Sequence, residues 1–479
     1  MTPRKIFLFG LCVITIIFLV SAVLPNEWKV GTLTFRYPDY RTWFKSDTII
    51  YKNIQEVLAS VDTTDYQIDQ TRLPSKNDTI PINNDSIYLT PDSARVEIFT
   101  DTYPFEYPQE QDTLLFPFFR TISRLHRRNQ PVRILHYGDS QIEADRITAT
   151  IRNYMQKNYG GQGVGFLPIV PVADVAKTFQ QDVSPKWKRF SVSNKNNLTN
   201  QCFGISGNLA RYIPSNECDS MAHIGLRPIY VGNPNIRKFT NVRLLYGPSQ
   251  KPFTIVVNQE NTQLMTNCHT VSSAWWQFET EQNSLDLSLV SSNLPDLYGI
   301  TLDGDRGVAV DNFPLRGSCG LEFTSMDTAQ MGQIFRMIDV KMLILQFGCN
   351  LVPNVVSNYD YYATRFTRQL QTLKSLNPEL VIVVVGVSDV SKNGPNGLVS
   401  YPNIVKIRDA QKKAAFDTGC VFWDLYEAMG GENSMPSWVS ANPPLAQKDF
   451  VHFTVRGAKI VAELFCKAWS NEYQRFISL

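Results

Sequence analysis

Three residues far apart in the chain carry the side chains that acyl transfer needs: a hydroxyl, an imidazole and a carboxylate. Ser140 closes the string Gly138-Asp139-Ser140, and Asp449-Phe450-Val451-His452 lies near the C-terminus. A His three residues after an Asp can share a loop with it. The carboxylate then orients Nδ1 while Nε2 faces a nucleophile. Taken alone, Gly-Asp-Ser reads more readily as a helix cap supplied by Asp139 or Ser140. The Asp449/His452 pair moves the reading toward a nucleophile, base and orienter. His126, His223 and His269 have no comparable context.

These residues must be positioned by regular elements. Val132-Arg133-Ile134-Leu135-His136-Tyr137 is a β-rich run leading into Gly138, which permits a tight turn. Ile147, Ile151, Tyr154, Met155 and Tyr159 then recur at helical spacing, up to a Gly160–Gly165 loop. The serine thus sits at a strand-to-helix junction, where helix N–H groups favour a developing oxyanion. Further strands are read at Val308–Val310, Met342–Leu345, Leu380–Val385 and Val421–Trp423. Helices are read through Tyr362, Phe366, Leu370 and Leu373, over Ile404–Phe416, and through Ala458, Val461, Ala462 and Phe465. This alternation predicts an α/β fold, a doubly wound parallel sheet whose ligands bind beyond the strand carboxyl ends.

Residues 171–300 break the rhythm. Short alternating runs such as Phe253-Ile255-Val257 and Leu285-Leu287-Leu289, separated by turn residues, predict an inserted all-β sandwich. Trp275 and Trp276 lie within it; one should fill its core, and the other is a candidate for stacking on sugar. The expected organisation is a transmembrane anchor at 1–25, a stalk at 26–110, the first part of the α/β domain at 111–170, the insert at 171–300 and the second part of the α/β domain at 301–479. The anchor reading rests on Arg4 and Lys5 preceding an apolar run from Ile6 to Leu24, long enough to span a bilayer core. Ser21-Ala22-Val23 is a poor cleavage site, which favours an anchor over a removed signal peptide. The bulk of the chain is then expected outside the cytoplasm, in the cell envelope or periplasm, on a single-pass inner-membrane helix.

Composition excludes other classes. The net charge of +2, with no long Lys/Arg run, argues against nucleic acid. No CxxC occurs and no Cys/His pair has zinc spacing, so no metal is expected. Seven cysteines lie beyond Cys12, an odd number, with Cys202–Cys218 a possible disulfide. Asp303-Gly304-Asp305 reads as a turn, and Gly160-Gly161-Gln162-Gly163 lacks the Lys of a phosphate loop.

Gly138-Asp139-Ser140, a mid-chain glycine loop, Gly348-Cys349-Asn350 after a strand, and Asp449-x-x-His452 resemble, in order, the four blocks of the SGNH (GDSL-like) hydrolase superfamily. The string from His136 to Glu143 resembles its bacterial envelope esterases, a subgroup that includes peptidoglycan O-acetylesterases and tends to carry a β-rich, carbohydrate-binding-like insert between its first two blocks. The resemblance covers roughly residues 110–479. It implies Ser140 as nucleophile, His452 as base and then acid, Asp449 as orienter, and an oxyanion hole from the Ser140 N–H, a glycine N–H and Asn350. Gly320, in Gly317-Ser318-Cys319-Gly320, follows a sheet strand and is the preferred glycine. Gly204-Ile205-Ser206-Gly207 is closer in letters but falls in the insert. Leu351 replaces the acid of the usual third block, and Cys349 is read as a buried wall residue. The resemblance implies an acetylated glycan substrate, no cofactor, and a carbohydrate O-acetylesterase. An O-acetyltransferase using the same triad and a non-catalytic glycan-binding envelope protein stand as alternatives. Oligomeric state is not legible.

Overall fold

The computed structural model describes residues 3–23, 27–30, 33–36, 51–61, 103–172, 178–193, 202–215, 220–229, 234–395 and 397–479. The chain divides into two units, Met1–Ile50 with Asn393–Val399, and Tyr51–Lys392 with Ser400–Leu479. The first contains the helix α1 (Pro3–Val23) and an antiparallel pair, β1 (Glu27–Val30) and β2 (Leu33–Arg36). Among the described residues no helix is long and apolar enough to cross a membrane. Several side chains of α1 lie outside the described set. The expected anchor is therefore not carried by the structure. Most of the expected stalk, 62–102, also lies outside the described residues.

In the second unit one six-stranded sheet carries the site. Its strands are β3 (Phe105–Glu106), β4 (Val132–Gly138), β16 (Val308–Pro314), β17 (Val340–Gln346), β18 (Val381–Val385) and β21 (Val421–Trp423). They run in the order β16-β4-β17-β18-β21-β3, all parallel except β3 at the edge. Every residue of β4 and β18 is buried, as expected for strands covered on both faces. Alternate side chains feed opposite layers. Leu135, Leu343 and Val384 pack with α4 (Thr328–Met337), α5 (Asp360–Leu376) and α6 (Ile404–Asp417). Ile134, Ile344 and Val383 pack with α2 (Phe116–Ile122), α3 (Thr148–Tyr159) and α7 (Val455–Ser478). Each such aliphatic burial contributes roughly 1.5–3 kcal/mol.

The insert is an antiparallel sandwich. One sheet contains β7 (Trp187–Ser191), β8 (Asn208–Tyr212), β10 (Phe239–Tyr246), β13 (Ser272–Gln282) and β15 (Leu297–Asp303), with β5 (Gly165–Leu167) paired to β15. The other contains β6 (Phe179–Val183), β9 (Met221–Pro228), β11 (Phe253–Val257), β12 (Asn261–Met265) and β14 (Leu285–Val290). Between them lies a shared core that includes Leu226, Leu244, Ile255 and Leu287.

Pairing shifts the expected boundaries. β5 joins the insert before residue 171, and β15 extends it to Asp303. At the other end, β3 joins the α/β sheet before residue 111. Ile54, Val57 and Val61, expected in the stalk, are buried in the same core as α7.

Candidate active site

Strands β16 and β17 lie on opposite sides of β4, so the winding reverses there and leaves a crevice at the carboxyl ends. Gly138 ends β4 in that crevice. A side chain there would put its Cβ 2.8 Å from the Gln346 carbonyl oxygen and 3.0 Å from Ile142, so only glycine fits. Asp139 is fully buried and accepts from the Gln141 N–H at 2.9 Å, capping the turn that begins at Ser140. Asp139 thus holds the turn, and Ser140 is left with its hydroxyl toward the histidine.

Ser140 Oγ stands 2.8 Å from His452 Nε2, and His452 Nδ1 stands 2.8 Å from Asp449 Oδ2. The other Asp449 oxygen accepts from the Val451 and His452 N–H groups, both at 3.0 Å. Burial alone would raise the Asp449 carboxyl, but the hydrogen bonds from His452 and Val451 outweigh it and hold it below the usual range. Asp449 is therefore an anion at working pH, suited to fix the imidazole tautomer and stabilise the imidazolium.

The histidine loop is tied to the nucleophile turn by a residue that sequence reasoning passed over. Gln141 is buried; its amide donates to the Val451 carbonyl at 2.7 Å, and its oxygen accepts from the Phe453 N–H at 3.4 Å. The only sequence signal was its place beside Ser140. Below the loop, Thr454 caps α7 through the Gly457 N–H, and a Cβ at Gly457 would lie 1.9 Å from the Leu445 carbonyl oxygen.

The segment after Ser140 departs from expectation. Ser140–Asp145 forms a kinked 3₁₀ turn, and α3 starts only at Thr148. Ala144 and Asp145 are left-handed, with φ of 56° and 62°. A buried pair holds them, Arg152 Nη1 to Asp145 Oδ2 at 2.6 Å and Nη2 to Oδ1 at 3.0 Å. Ser140 therefore does not stand at the N-terminus of a regular α-helix.

The donors expected for an oxyanion are partly engaged. Asn350 Nδ2 donates to the Ser318 carbonyl at 2.9 Å. The Gly320 N–H donates to Ser318 Oγ at 2.8 Å, and a Cβ there would crowd Phe347 and Phe366. Gly320 is thus a buried turn glycine with its donor committed, a correction to its expected role. In the same turn, Gly317 is exposed, has φ of +77° and, among the described residues, has nothing within 4 Å of where a Cβ would lie. It lies just beyond Pro314, the register partner of Gly138. The strand therefore ends at the right place, but the turn offers a different glycine.

Cys349 is a wall residue, its thiol donating to Asp139 Oδ2 at 3.0 Å and pushed up by burial first and Asp139 second. His136 is locked in the sheet between Thr148 and Gln346, and burial lowers it to about 3. It is neutral and takes no part in the triad. Cys202 stands 3.6 Å from Asp327, while Cys218 lies outside the described residues. No cluster of metal-ligating side chains occurs among the described residues. Beside the site, a cavity of about 500 Å³ opens between Asp145, Asn312 and Pro314 of the α/β domain and Leu167, Gln180 and Asn208 of the insert. Ser140 does not line it, but the nucleophile turn leads into it at Ala144.

No protein-family model matches the chain, and no curated protein matches it in sequence. Solved structures do. The chain is similar to a peptidoglycan O-acetylesterase at 21% identity, covering 76% of this chain and 97% of that one with a TM-score of 0.61. It also matches an acetyl xylan esterase at 15% identity over 34% of this chain and 81% of that one, with a TM-score of 0.27. A family two carbohydrate esterase from Cellvibrio japonicus matches at 7% identity over 62% and 99%, with a TM-score of 0.24. Scores this low add no weight. The first match shows a shared fold over three quarters of the chain.

Proposed function

We propose that this protein is a serine esterase that removes O-acetyl groups from an envelope or extracellular polysaccharide such as peptidoglycan. The observation that carries the reading is the unbroken Ser140–His452–Asp449 chain at the mouth of the sheet crevice. In the reaction, Ser140 Oγ attacks the acetyl carbonyl while His452 Nε2 takes its proton. Collapse of the tetrahedral intermediate breaks the bond to the sugar oxygen, which leaves as an alcohol with the proton from His452. Water, deprotonated by the same imidazole, then releases acetate from Ser140. The oxyanion meets the Ser140 N–H, the N–H of the open glycine Gly317, and Asn350 once its amide turns from the Ser318 carbonyl. Apo-state hydrogen bonds of this kind commonly reorganise on binding.

A location outside the cytoplasm is part of the proposal, supported by the cations Arg4 and Lys5 before the apolar run from Ile6 to Leu24. The deciding experiment measures acetate release from O-acetylated peptidoglycan and p-nitrophenyl acetate by wild type and Ser140→Ala. A loss of at least about a thousandfold is expected; equal turnover would remove the nucleophile. Adding acceptor glycan separates hydrolysis from transfer.

A further inference from the structure

The two tryptophans of the insert have different fates, and strand alternation decides them. On β10, Val242 and Leu244 face the sandwich core, as do Ala274 on β13 and Ile300 and Leu302 on β15. Trp276 packs against that core. Trp275 is turned to the other face and is 49% exposed. On that face the register sets two rows across three strands: Trp275 beside Arg243 beside Thr301, and Gln277 beside Asn241 beside Asp303. The α/β domain roofs these rows with Gln130 and Ile338, closing a pocket of about 210 Å³.

We propose that this pocket is a second carbohydrate site, holding one neutral pyranose unit of a polysaccharide. The exposed indole supplies an apolar platform for a sugar face. Arg243 supplies donors; one nitrogen reaches Ser273 at 3.1 Å. Acceptors are ready as well. Asp303 is buried, and while one oxygen takes Arg133, the other has no hydrogen-bond partner among the described residues; nor has the side-chain oxygen of Asn241. Unmet buried acceptors call for a donor, and sugar hydroxyls are donors. The guanidiniums of Arg133 and Arg243 are matched by Asp303 and Asp311, which favours a neutral occupant. The pocket opens where Pro131 leads into β4, while Ser140 follows the other end of that strand, about 20 Å away. The site therefore anchors polymer without entering the acyl-transfer chemistry, and its binding does not depend on Ser140.

The test is co-sedimentation with purified O-acetylated peptidoglycan and with acetylated xylan. It uses Ser140→Ala protein, so that substrate is not consumed, with and without Trp275→Ala. Binding to at least one polymer, weakened tenfold or more by Trp275→Ala or Arg243→Gln, is expected. With Ser140 intact, Trp275→Ala should keep p-nitrophenyl acetate turnover within twofold of wild type. Should that turnover fall too, Trp275→Phe decides: recovered binding supports the platform, and its absence overturns it. Unchanged binding by Trp275→Ala, or sedimentation of the Ser140→Ala parent with neither polymer, overturns the site. Failure of wild type to hydrolyse p-nitrophenyl acetate would instead count against the esterase reading and leave the binding result standing.

Discussion

Asn350 follows β17 and Gln141 follows β4 at the same end of the sheet, and they contribute in different ways. In the proposed reaction Asn350 offers a donor that matters only once charge develops on the substrate oxygen. Asn350→Ala should lower kcat by about a hundredfold to a thousandfold, the usual cost of one oxyanion donor, with KM and thermal melting little changed. Gln141 touches no reacting atom; it fixes the histidine loop through Val451 and Phe453. Gln141→Ala should lower kcat about tenfold to a hundredfold, since misplaced catalytic groups cost this order. The pH–rate profile should keep its shape, because the imidazole and its carboxylate partner remain. A change confined to KM would show that Gln141 serves binding instead.

At the scale of elements, the end of β21 carries a buried carboxylate with a pH consequence. Asp424 caps the following helix through the Glu427 N–H, and burial raises it to about 6, against the relief given by that N–H and Arg408. A carboxyl with a raised native pKa holds its proton more tightly when folded. Its contribution is complete below the unfolded value near 4 and is lost as pH rises through about 6. At about 1.4 kcal/mol per pKa unit, the loss across that window approaches about 3 kcal/mol. Asp424→Asn keeps a capping oxygen and should flatten stability between pH 4 and 6.5, measured by urea titration at each pH. An unchanged slope would refute the assignment. Elements also account for the misread segment after Ser140. Ile151 and Met155 do lie on a helix face, with Ile147 at its N-cap, but the left-handed pair at Ala144 and Asp145 depends on Arg152, seven residues on, which no local pattern reveals.

Across the molecule, Arg133 joins three strands. It leaves β4, meets Asp311 on β16 at 2.7 and 2.9 Å, and reaches Asp303 at the end of β15. The insert and the α/β domain are thereby tied at the base of the sheet. Removing one partner leaves two carboxylates buried without compensation, which typically costs 3–5 kcal/mol. Arg133→Met should lower stability by about that amount. It should also split a shared calorimetric transition into two, as the insert loses its tie. A single transition at unchanged temperature would show that the cluster couples nothing.

Periodicity and spacing placed β4, β17 and β18, the helices through Ile151, Phe366, Ile407 and Val461, the β character of the insert, and the Asp449/His452 pair, while the family blocks singled out Ser140 and α4 came only with the structure. Those features are local: a run of Val and Ile buried on both faces, or a loop where Asp449 can reach His452, is written in neighbouring residues. The tertiary structure decided what depends on distant partners. It sent the Gly320 N–H to Ser318 and left Gly317 open, enlisted Gln141 across more than three hundred residues, turned Trp275 outward and Trp276 inward, and drew β5 and β3 across the expected boundaries. Hydrogen-bond partners and strand register are set by which segments meet in space, and a one-residue change of register would reverse every face.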